Sequence, residues 1–203
     1  QAGDVIFSSD FGTASKELHN KKSGSFDGPL PDTWWEDYSG WTDSIAKTEK
    51  ITENNSSFLR FNVERYGSSV QFRAPVEKLA MPGIYKIEVE ANTHLSSLNI
   101  GFRQIPAPYK SLWGDALSTN GKWMKKTFFA KLDKDIKSPV GFFIYPDVGI
   151  TDIKSISISK ATLDDMAAMI PRADKSLKNF FRNSRFPRSE ERRVGKECRS
   201  RWS

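Results

Sequence analysis

The chain has 203 residues, 37% of them hydrophobic, 12% aromatic and 28% charged, and carries a formal net charge of +6. That composition suits one globular domain with some extra sequence. No run approaches the roughly 18 apolar residues that a membrane-spanning helix requires, so such a helix is excluded and no membrane partner is expected.

From the start, residues 4–11 (DVIFSSDF) read as a short strand, and the polar residues 12–28 as a loop. Residues 28–44 (GPLPDTWWEDYSGWTDS) concentrate Trp34, Trp35, Tyr38 and Trp41 between turn residues, which is unusually aromatic for a surface loop. Residues 45–51 and 58–64 are predicted strands around a turn at 53–57. In the second, Leu59, Phe61 and Val63 alternate with Arg60 and Asn62, the period of two that marks a half-buried strand. Val70, Phe72 and Ala74 repeat the pattern, with Gln71 and Arg73 opposite.

Residues 81–103 are the clearest stretch. After Pro82-Gly83, the residues Tyr85, Ile87, Val89 and Ala91 point one way and Lys86, Glu88 and Glu90 the other. The polar segment Asn92-Thr93-His94 then leads into Leu98, Ile100 and Phe102, which alternate with Asn99, Gly101 and Arg103. This pair is expected to form a central hairpin, needing further strands at its edges and a second sheet against its apolar face. Residues 105–121 read as a long loop carrying Tyr109 and Trp113, and long loops on a stable scaffold often carry function. Residues 123–132, 140–145 and 151–161 complete the series. The run 140–145 is apolar on both faces, as a strand in the middle of a sandwich should be. Nine or ten closely spaced strands, with no convincing amphipathic helix before residue 162, predict an all-β fold, an antiparallel β-sandwich of jelly-roll type.

The predicted boundaries are a sandwich over residues 1–161, a linker over 162–178, the start of a further module over 179–187, and a tail over 188–203. The module start rests on the likeness of NFFRNSRFP to the opening DVIFSSDFG. The tail (RSEERRVGKECRSRWS) is charge-dense and aperiodic, and resembles the conceptual translation of a sequencing adapter, which belongs outside fold reasoning. Without it, 25 basic side chains face 22 acidic ones, a net of +3. The charge argument for nucleic-acid binding leaves with the tail, and so does Cys198, the one cysteine. The chain begins Gln1-Ala2-Gly3 without methionine, which fits either a mature secreted protein or a fragment.

The ordered landmarks, namely P-x-x-W at 31–34, FLRFNV, SSVQFRAPV, PGIYKIEVEA, G-K-W at 121–123 and DIKSISIS, resemble carbohydrate-binding modules with the galactose-binding-like jelly roll. The nearest type binds xylan and β-glucans and is attached to glycoside hydrolases. The resemblance spans about residues 4–161. It implies a non-catalytic module that recognises a polysaccharide or oligosaccharide, borne by a secreted enzyme whose catalytic domain lies elsewhere in the parent chain. The alternative is an ancillary sandwich that touches no sugar. The family often carries a structural calcium. At its first acidic position this chain has Gly12, after Asp10-Phe11, while Asp152 matches the second.

A sugar ring presents an apolar C–H face and a rim of hydroxyls, so a protein grips it with flat aromatic rings and planar polar groups. The expected ligand contacts are the loop aromatics Trp35, Tyr38, Trp41, Tyr109 and Trp113, with Arg60, Asn62, Arg73, Asn99 and Arg103, and also Gln71 and Gln104, on polar strand faces. Trp34 and Trp123 are expected in the core. His19 and His94 have no metal-ligand spacing, and no nucleophile-elbow, P-loop or dinucleotide fingerprint occurs. No enzymatic activity is therefore expected.

Overall fold

The computed structural model describes residues 3–76, 82–133, 136 and 139–168. Residues 2–161 form one compact unit, an antiparallel β-sandwich with thirteen strands among the described residues.

In chain order the strands are β1 (Val5–Asp10), β2 (Lys16–Lys21), β3 (Ser25–Leu30), β4 (Trp35–Glu36), β5 (Ile45–Glu53), β6 (Ser56–Arg65), β7 (Phe72–Pro75), β8 (Gly83–Asn92), β9 (Leu98–Gln104), β10 (Ser111–Leu117), β11 (Met124–Leu132), β12 (Val140–Pro146) and β13 (Gly149–Lys160). One sheet has eight strands in the order β11-β8-β13-β6-β5-β3-β2, with β1 also on β13. The other has five, in the order β10-β9-β12-β7-β4. All pairings are antiparallel except β3 with β5.

Side chains that alternate along the strands meet between the sheets in an aromatic core. Trp34 lies 5.2 Å from Phe11 and 6.4 Å from Phe142, which lies 5.2 Å from Phe102, while Phe72 lies 5.0 Å from Phe61 and 5.2 Å from Phe26. Most of these rings meet edge to face, the arrangement the ring quadrupole favours. Trp34 also donates from its indole nitrogen to Ser9 Oγ at 2.9 Å, so its one polar atom is satisfied in the interior.

Three expectations are corrected. Residues 81–103 do not form a hairpin. β8 belongs to the eight-stranded sheet and β9 to the five-stranded one, so the apolar residues of the two strands face each other across the core instead of pairing edge to edge. The connecting segment is anchored inside: Thr93 is fully buried and its backbone nitrogen donates to Thr119 Oγ1 at 2.9 Å. Secondly, the polar stretch 12–28 contains the β2–β3 hairpin, which extends one edge of the larger sheet. Thirdly, the expected loop 105–121 contains β10, the edge strand of the smaller sheet.

Beyond the sandwich, residues 163–168 are helical. Thr162 caps them: Asp165 donates its backbone N–H to Thr162 Oγ1 at 3.1 Å and accepts from Thr162 N at 2.8 Å, a reciprocal capping box. Most of the expected linker, the expected module start at 179–187 and the tail at 188–203 lie outside the described residues. No helix among the described residues is long and apolar enough to cross a membrane.

Candidate functional site

The outer face of the five-stranded sheet collects aromatic and planar polar groups in register. Cα partners run across all five strands from Trp35 to Arg73, Phe143, Gly101 and Gly114. Directly opposed residues on neighbouring strands point to the same side, so these five positions form one transverse row, about 19 Å long at the usual strand spacing. A parallel row runs from Tyr145 to Asn99 and Ala116, and another from Pro75 to Gly141, Arg103 and Ser111.

The glycines shape this face. A Cβ at Gly101 would stand 2.7 Å from the Trp113 carbonyl oxygen, and one at Gly141 would stand 2.9 Å from the Phe143 ring. Where side chains are missing the surface dips. A groove of about 510 Å³ lies along β9 and β10, lined by Asn99, Gly101, Ser111, Trp113, Gly114 and Tyr145 among others.

Phe143 is fully buried although it faces outward. The Tyr145 ring stacks on it at 5.9 Å with 13° between the planes, and the Arg103 guanidinium lies 4.3 Å over it. Arg103 also lies 5.8 Å from the Tyr109 ring, and Tyr109 is exposed. Burial pushes the Tyr145 phenol above its ordinary pKa, an effect the adjacent Arg103 partly offsets. At the other end of the row, Trp35 is 54% exposed, with Lys16 Nζ 4.4 Å over its ring. Lys16 is fixed there by Asp32 O at 3.0 Å and by Trp34 O. Arg73 lies 3.8 Å from Asp37, whose Oδ2 also accepts from Gln71 at 3.2 Å.

Of the residues expected to touch a ligand, Trp35, Arg73, Asn99, Arg103 and Tyr109 are thus brought to one face. Trp113 lines the groove, but its ring packs between Phe102 (5.8 Å) and Phe128 (6.1 Å). Tyr38 is 1% exposed and donates from its hydroxyl to Ser25 O at 2.7 Å, so the expected surface position is corrected to a core one. Trp41 is exposed on the turn after β4, held by backbone bonds to Tyr38, and is not among the residues lining the groove. Arg60 and Asn62 belong to β6, in the opposite sheet. Gln104 is buried. Trp34 is in the core as expected. Trp123 is not: it is 36% exposed, edge-on to Phe58 at 5.1 Å and covered by Lys154 at 4.3 Å. In the sequence the signal for Phe143 and Tyr145 is the strand 140–145, apolar on both faces; Tyr145 suits either a core or a ligand-facing role there.

The structural calcium that the family often carries does not fit at Asp152. Asp152 is buried, and both its oxygens are engaged by Arg60, at 2.8 Å to Oδ1 and 3.0 Å to Oδ2, with His94 Nε2 at 2.7 Å from Oδ2. A guanidinium and an imidazole stand where a hard cation would need open oxygen ligands. Asp10 Oδ1 meanwhile accepts from Gly12 N at 2.9 Å. Among the described residues no group of three or more acidic, histidine or cysteine side chains is arranged to hold a metal ion.

No family model and no curated protein matches the sequence. Solved structures do. The C-terminal family 22 carbohydrate-binding module of Clostridium thermocellum Xyn10B is 11% identical with a TM-score of 0.50, over 79% of this chain and 97% of that one. The CBM22-1 xylan-binding domain of Paenibacillus barcinonensis Xyn10C is 11% identical with a TM-score of 0.46, over 80% and 99%. TmCBM27, a mannan-recognising module, is 12% identical with a TM-score of 0.44, over 80% and 100%. The first likeness identifies the architecture: the sandwich has the fold of carbohydrate-binding modules.

Proposed function

We propose that this chain is a non-catalytic carbohydrate-binding module that holds a polysaccharide, xylan or β-glucan, across the outer face of its five-stranded sheet. The observation that carries the reading is the transverse row of Trp35, Arg73, Phe143, Gly101 and Gly114. An exposed ring stands at one end, a glycine floor at the other, and guanidinium and phenol groups lie between. The rings cover the C–H faces of sugars, and Arg73, Asn99 and Tyr145 address their hydroxyls. The similar module belongs to Xyn10B, and by the same logic this one serves a secreted glycoside hydrolase. Its contribution is local concentration, since tethering makes each encounter of the enzyme with the polymer intramolecular.

Affinity electrophoresis in gels containing xylan, mixed-linkage glucan, mannan or hydroxyethyl cellulose tests the proposal. Retardation on one or more polymers is expected, with no release of reducing sugar. Unretarded migration in every gel rejects it and favours an ancillary structural sandwich, the reading that the burial of Tyr38 and the inward ring of Trp113 support.

A further inference from the structure

Four arginines lie among the described residues, and three have a carboxylate partner. Arg60 reaches Asp152 at 2.8 Å, Arg65 lies 3.7 Å from Asp43, and Arg73 lies 3.8 Å from Asp37. Arg103 has no such partner among the described residues. Its Nε is buried without a hydrogen-bond partner, and its guanidinium rests on the faces of Phe143 and Tyr109. Ring faces hold a cation in place without using its N–H donors; the Tyr145 phenol beside it draws on part of the guanidinium, and Nε is left without an acceptor. A desolvated donor with no acceptor is costly unless a ligand supplies one.

Room for that ligand lies on the β10 side of Arg103, where its Cα partner is Ser111, a small residue lining the groove; on the β12 side the space over its partner Gly141 is taken by the Phe143 ring. Arg103 stands two residues along β9 from Gly101, in the floor of the groove, so a substituent on a chain lying in the groove comes within its reach. The carboxylate lining the groove, Asp115, accepts from Ala116 N at 2.7 Å and so bonds within its own strand.

Resting on the glycan-binding reading, we propose that the bound polysaccharide carries uronic acid units, and that Arg103 receives their carboxylate. A planar guanidinium matches a carboxylate through paired N–H donors, and such charge-assisted bonds are stronger than those to hydroxyls.

The test compares glucuronoxylan with the same polymer after chemical reduction of its carboxyl groups to alcohols, in affinity gels at low and high ionic strength. The wild-type protein is expected to bind the acidic polymer about tenfold more tightly, with a difference that shrinks as salt rises. In Arg103→Gln the ratio of the two affinities falls to about one, and Arg103→Lys retains part of it. Equal retardation by the acidic and reduced polymers overturns the inference and leaves the glycan-binding reading standing. So does a ratio that survives in Arg103→Gln, or a preference confined to sulfated xylan. Retardation by neither polymer, nor by any neutral glycan, removes both readings together. The wild-type comparison stands even if the glutamine variant fails to fold.

Discussion

Trp34 and Trp35 are neighbours in the chain and opposites in the structure. One is fully buried against Phe7, Phe11 and Phe142, and the other is more than half exposed under Lys16. Trp34→Ala is expected to cost about 3–5 kcal/mol, read from the urea midpoint. Trp35→Ala is expected to change stability by no more than about 0.5 kcal/mol while weakening retardation on the preferred glycan about tenfold. Asp152 makes a second contrast. Truncating it strands Arg60 and His94, and because Arg60 is only partly buried we expect a loss of about 2–3 kcal/mol for Asp152→Ala. A chelator, by contrast, is expected to leave the melting temperature of the wild type unchanged, since the carboxylate already has its partners. A chelator-induced drop of several degrees would contradict that. At this scale sequence alone went part of the way. The P-x-x-W landmark of the resemblance separates Trp34 from Trp35, but the matching G-K-W landmark wrongly places Trp123 in the core, and nothing in the chain says that Tyr38 turns inward to Ser25.

Among the elements, periodicity located most strands but could not say which sheet each one joins. Arg60 and Arg103 sit on equally polar faces of equally regular strands, yet β6 and β9 belong to opposite sheets. That difference is decided by the connections, such as the buried Thr93 segment that carries the chain from β8 across to β9. The β2–β3 hairpin escaped notice because its residues are mostly polar and its apolar contribution, chiefly Phe26, Leu30 and a half-buried Leu18, is thin. The two-faced strand β12 is legible, because Phe142 and Ile144 serve the core while Phe143 and Tyr145 stack on the outer face, where Tyr145 lines the groove. The close approach of β9 and β10 is a further property of elements. Gly101→Ala would press a methyl group against the Trp113 carbonyl, at an expected cost of about 1–3 kcal/mol. Hydrogen exchange is expected to show β10 amides losing protection before those of β12.

Across the whole molecule, the phenols respond together to base. Burial raises the pKa of Tyr38, with Glu36 adding to the effect, and burial likewise raises those of Tyr85 and Tyr145. A phenol that resists ionisation in the folded state stabilises nothing extra at neutral pH. Above the unfolded value of about 10, the unfolded chain releases protons that the folded one retains, so stability falls as pH rises. Denaturation midpoints are therefore expected to decline above about pH 10, with Tyr38, Tyr85 and Tyr145 giving up their protons at higher pH in the folded chain than in the unfolded one. Full tyrosine titration at the unfolded value, before any loss of near-ultraviolet dichroism, would refute this.

The first and last strands of the sandwich lie side by side: β1 pairs with β13, and Lys160 N donates to Asp4 O at 3.1 Å. A short glycine-serine bridge could therefore join residues 4 and 160, and the chain could be cut afresh at the Asn54-Asn55 turn, where both residues have positive φ. Such a circular permutant should keep its groove intact, which would let a designer choose where a fused cargo departs from the scaffold.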